Sequence, residues 1–151
     1  MSALFAFLHH VAAFALVAAV AVEFVLLRGE LTVERARQIR FADLVLGIAA
    51  GLVLVVGMLR VRFFEKGADY YLHSIPFIAK VSLFVMVALL SIYPTLQFLS
   101  WKAAVAQGRA PAVPAAKLRR IRTLLHLELV GVIGIILCAA LMARGIGSLR
   151  L

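Results

Sequence analysis

Cysteine, charge and nucleotide-binding glycines are all scarce in this chain. Cys138 is the only cysteine, so no disulfide can form within the chain, and the CxxC pattern of thiolate metal sites is absent. Charged residues make up 15% of the sequence, against about 25% in a soluble domain. No Lys or Arg precedes the first apolar run. That run is also too long for a signal-peptide core, so it is expected to stay in the protein as a membrane helix. No GxGxxG is present, which leaves dinucleotide hydride chemistry without its loop. No internal repeat stands out.

What is abundant is apolar. The 151 residues are 65% hydrophobic, and the mean hydropathy is +1.08. This is the composition of a membrane protein, long enough for one compact unit, residues 1–151. Four helical spans are expected: Ala3 to Leu27, Phe41 to Leu59, Ile75 to Leu99 and Ile121 to Ala143. Each can cross about 30 Å of hydrocarbon at 1.5 Å per residue. The fold class is therefore an all-α, four-helix transmembrane bundle.

The net charge is +9. Because the basic residues lie between apolar runs, they read as lipid contacts and topology signals rather than a nucleic-acid surface. Ten basic residues flank loops one and three, and five lie on the opposite side. Loops one and three are thus expected in the cytoplasm, with both termini outside. In the first loop Thr32 is placed to cap a short amphipathic helix with Glu34 and Arg35 in its first turn. The third loop contains QGRAPAVPAA, whose Pro111 and Pro114 favour an extended path. Trp101 reads as an interfacial anchor. Gly47 and Gly51 make a small-residue face, as do Gly131 and Gly134. Pro94 removes a backbone donor from the third span.

Ionisable residues inside the spans are costly and need a partner, a neutral state or a function. They fall into two layers. One contains His9, His10 and Lys80, with Tyr70, Tyr71 and His73 just before the third span. Ser91 and Thr95 continue the Lys80 face. The other layer contains Glu23, Asp43, His126 and Glu128, with Arg40 and Arg122 at similar depth. The first set has the groups that haem binding uses: an axial imidazole, and cations or phenols for the propionates. His10 or His9 is the candidate iron or copper ligand. Lys80, Tyr70 and Tyr71 are the candidate cofactor-holding groups. The second set suits proton movement or plain ion pairing, with Arg40 or Arg122 as partners of Glu23. The lipid bilayer is the expected environment, and a second copy or another membrane protein a possible partner.

The segments LHHVAAF, from Leu8 to Phe14, and YYLHSIPFIAKVSLFVMVALLSIYPTLQFLSW, from Tyr70 to Trp101, resemble a family of small four-helix bacterial inner-membrane proteins, domain-of-unknown-function family 2214. More distantly, the plan resembles the HemJ-type protoporphyrinogen oxidases and the CopD-type copper-resistance membrane domains. That resemblance implies a haem b pocket, or a copper site, with His10 and Lys80 as the matching residues. It further implies a redox protein acting on a quinol or a porphyrin-type substrate. The alternatives are a small transporter or metal-handling protein, or an accessory subunit of a membrane complex.

Overall fold

A computed structural model describes residues 2–63 and 74–146. Four long helices cross the bundle: α1 (Ser2–Leu26), α2 (Val33–Phe63), α3 (Ile75–Ser100) and, after the short α4 (Lys102–Ala106), α5 (Ala115–Ala143). All four are long and apolar enough to span a bilayer.

The ends follow local chemistry. α1 leads into a turn at Arg28 and Gly29, where the Arg35 guanidinium occupies the space a side chain at Gly29 would need. Thr32 then caps α2: its Oγ1 accepts the Arg35 amide at 3.2 Å. Glu34 sits in the first turn of α2 and Arg60 and Arg62 in its last, as the helix dipole favours. The amphipathic piece expected in loop one is not a separate helix. No Gly or Pro interrupts the chain between Thr32 and Phe41, so the cap launches one helix of 31 residues. At about 46 Å it is longer than the hydrocarbon is thick. α5 likewise starts six residues before the apolar run, directly after Pro114. Gly108, at φ 68°, lets the chain turn out of α4 towards the proline segment.

α1 packs mainly on α2, and α3 mainly on α5; contact between the two pairs is much thinner. The α3–α5 seam depends on glycine. A Cβ on Gly131 would stand 2.5 Å from Val87 Cγ2, and one on Gly134 would stand 3.0 Å from Leu83 Cδ1. Gly47 and Gly51 meet nothing within 4 Å, so the small face of α2 joins no helix among the described residues.

Two apolar clusters fill the bundle. Leu16, Val20, Leu46, Val87 and Val132 form one at mid-height. Leu27, Ile39, Phe98, Trp101, Ile121 and Leu125 form the other, at the end carrying loop one. Trp101 is therefore no interfacial anchor. It is buried edge-on against Phe98, with ring centroids 5.0 Å apart. Outside, Phe7, Phe14, Met58, Leu89 and Ile133 are more than half exposed. An apolar exterior around a partly polar interior is what a bilayer solvent selects.

Candidate functional site

The buried polar groups gather where the two helix pairs meet. Glu23 comes from α1, Asp43 from α2 and Glu128 from α5. Glu23 and Glu128 are fully buried, and Asp43 is 8% exposed. The three carboxyls are close enough to act on one another electrostatically. α3 adds Thr95, whose hydroxyl donates to Asp43 Oδ1 at 2.6 Å. Ser91 lies beside Glu128, but its hydroxyl donates to the Val87 carbonyl at 3.1 Å. All four long helices thus supply an oxygen to the same layer.

Among the described residues neither oxygen of Glu23 has a hydrogen-bond partner, and Glu128 has only Ser91 beside it, whose hydroxyl is committed to Val87. Buried polar atoms are nearly always paired, so each exception calls for a reason. The ion pairs expected for Glu23 are not made. Arg122 Nε instead donates to the Leu27 carbonyl at 2.8 Å, tying α5 to the end of α1. That carbonyl lies just past the C-terminus of α1, where a helix leaves acceptors unsatisfied and favours a cation. Arg122→Ala is expected to lower bundle stability by about 1.5–3 kcal/mol, the range for a charge-assisted hydrogen bond. Unfolding in a denaturing detergent would measure it. Arg40 acts electrostatically on Asp43, yet its buried Nε has no hydrogen-bond partner among the described residues.

His126 stands outside this layer. It is exposed, with its ring 6.0 Å from Phe24, over which Arg28 stacks at 4.5 Å. Two residues along a helix turn the side chain by about 200°, so Glu128 faces in while His126 faces out.

The histidine layer lies elsewhere. His9 is fourteen residues before Glu23, about 21 Å along α1, with the mid-height cluster between them. The two layers do not share one pocket. His9 is half-buried and packs on Gly57, where an added Cβ would come within 3.2 Å of its Cε1. Lys80 and Arg60 are its charged neighbours, the Val53 backbone lies against its ring, and its buried Nδ1 has no hydrogen bond among the described residues. His10 is exposed. Its Nδ1 sits 2.6 Å from the Ala6 carbonyl oxygen, which can only accept, so that nitrogen carries the proton. Lys80 acts electrostatically on His9. Tyr70, Tyr71 and His73 lie outside the described residues.

Among the described residues no three His, Cys, Asp or Glu side chains are arranged to hold a metal ion. The carboxyl layer lies in the interior of the bundle. What it offers is three carboxyls and a threonine hydroxyl from four helices, with an apolar cluster on either side.

A four-span helical membrane protein with a carboxyl layer inside it is the class these features define. The chain belongs to the family described as Predicted membrane protein (DUF2214), whose sequence model matches residues 1–147. No curated protein and no solved structure matches it. The family match does not extend to the HemJ-type oxidases or the CopD-type domains.

Proposed function

We propose that the protein transfers protons within the membrane, with Glu23, Asp43 and Glu128 as the proton-loading site. The observation that carries this reading is a pair of fully buried carboxyls, on helices from opposite halves of the bundle, with no hydrogen-bond partner among the described residues. Three carboxylates and one nearby guanidinium do not balance in a low-dielectric interior. A shared proton is the simplest counterweight, and a group that holds a proton without being locked by hydrogen bonds can hand it on. Asp43, fixed by Thr95, positions the layer; Glu23 and Glu128 exchange the proton across the junction between the pairs.

Purified protein in liposomes enclosing a pH-sensitive dye tests this. Under an imposed membrane potential, the lumen should acidify faster than in protein-free vesicles. Equal rates with correctly inserted protein would reject the reading.

A second reading is favoured by the orphan ring nitrogen of His9. A half-buried imidazole whose Nδ1 has no hydrogen bond among the described residues, with Lys80 and Arg60 as charged neighbours, suits an anionic prosthetic group such as haem b; His9 would hold its iron and the two cations its propionates. Bound haem would supply one-electron chemistry, consistent with an oxidoreductase acting on a quinol or porphyrin-type substrate. Protein purified from haem-supplied cells should then show a redox-sensitive Soret band, lost in His9→Ala and kept in His10→Ala. A featureless spectrum from folded protein after haem addition would dismiss this second reading.

A further inference from the structure

A groove of about 640 Å³ runs along the outside of the bundle between α1 and α2. Its floor is alanine: Ala15, Ala18 and Ala19 from α1 and Ala42 from α2. Side chains this small leave a trough where the two helices touch, while Val22 and Phe41 stand up as its walls. The groove is apolar along its length and polar only at its mouth, where Glu34, Arg37 and Gln38 project from the first turns of α2.

Its dimensions are specific. The groove runs from Leu26 to Ala15 on one helix and from Glu34 to Val45 on the other. Eleven residues of helix cover about 17 Å. The hydrocarbon core is about 30 Å thick, so the groove reaches from headgroup level to roughly the bilayer midplane. That is the depth of one acyl chain in one leaflet.

The mouth selects by charge. Arg37 Nη1 donates to Glu34 Oε2 at 3.1 Å, and both side chains are more than 60% exposed. A guanidinium has five N–H donors and a carboxylate about four acceptor sites, so this single bond leaves most of both groups open. The mouth therefore presents one cation and one anion side by side. Its complement is a headgroup with a phosphate and a primary ammonium: the phosphate binds Arg37 and the ammonium binds Glu34.

We propose that this groove is a binding site for one aminophospholipid molecule, one chain lying on the alanine floor and the zwitterionic headgroup held by Glu34 and Arg37. This site is separate from the carboxyl layer. An ordinary annular lipid meets a convex surface without a paired charge; here the surface is concave and the charges are matched.

Native mass spectrometry of the full chain, released from detergent with phosphatidylethanolamine or phosphatidylglycerol of identical chains, tests the proposal. One phosphatidylethanolamine should stay bound with roughly fivefold preference, the size expected of one exposed charge pair. Glu34→Gln, at an exposed position, should erase the preference while leaving binding of the chain. Ala18→Leu should reduce retention of both lipids. Equal retention of the two lipids by the natural protein, or a preference for phosphatidylglycerol, would overturn the headgroup assignment. Retention unchanged in Ala18→Leu would overturn the groove itself.

Discussion

Replacing Glu23 or Glu128 with glutamine should slow proton entry into vesicles by roughly 10²- to 10⁴-fold, the range over which a positioned proton-transferring side chain acts. The amide keeps the shape of the acid but cannot exchange between neutral and charged forms. The same positions give an opposite result for stability. Both carboxyls are fully buried and lack hydrogen bonds among the described residues, so they contribute desolvation and no compensating bond. Glu23→Met, close in volume, should leave the bundle as stable or raise its stability by about 1–3 kcal/mol. A residue kept for packing shows the reverse: removal weakens the fold and leaves transport intact. If Glu23→Met unfolds the bundle, or if Glu23→Gln transports at the natural rate, Glu23 is structural and the proton-site reading is lost.

The second large effect concerns the seam between α3 and α5. Gly131→Ala should destabilise the bundle by about 1–3 kcal/mol, as overpacking does in a close-packed core. The new Cβ would stand 2.5 Å from Val87 Cγ2, and Val87 is itself buried against Leu16, Val20 and Val132. Neither helix has room to yield without disturbing that cluster. Val87→Ala removes the clashing methyl, so Gly131→Ala with Val87→Ala should recover most of the loss. Gly47→Ala, where nothing lies within 4 Å, is the matched control and should be near neutral. Unfolding of all four variants in mixed micelles checks the set. A Gly131→Ala protein as stable as the natural one would show that the seam can open without loss.

Much of the fold is written in the hydropathy of the chain, because a bilayer demands long apolar helices whatever their neighbours. Helix starts were less visible. The apolar runs begin at Phe41 and Ile121, but the helices begin at Val33 and Ala115, since propensity and capping do not stop where the hydrocarbon does. Depth was readable for the ionisable residues and lateral position was not. Counting turns puts Glu23, Asp43 and Glu128 in one layer, and the fold brings them near enough to act on one another electrostatically. His126 shares that depth and faces away. Ser91 and Thr95 follow Lys80 on one helical face, yet they serve the carboxyl layer while Lys80 neighbours His9. The link between Arg122 and the Leu27 carbonyl left no trace in the sequence, because a backbone acceptor looks the same at every residue. The choice between His9 and His10 also required knowing which face of α1 meets α2, and α1 is apolar nearly all round.

The thin contact between the α1–α2 pair and the α3–α5 pair makes their junction the weakest plane of the bundle. The bonds from Thr95 to Asp43 and from Arg122 to the Leu27 carbonyl both cross it. Parting the pairs breaks few apolar contacts, and it breaks both bonds at once. The seam at which the bundle opens most cheaply is therefore the one that holds the buried carboxyls.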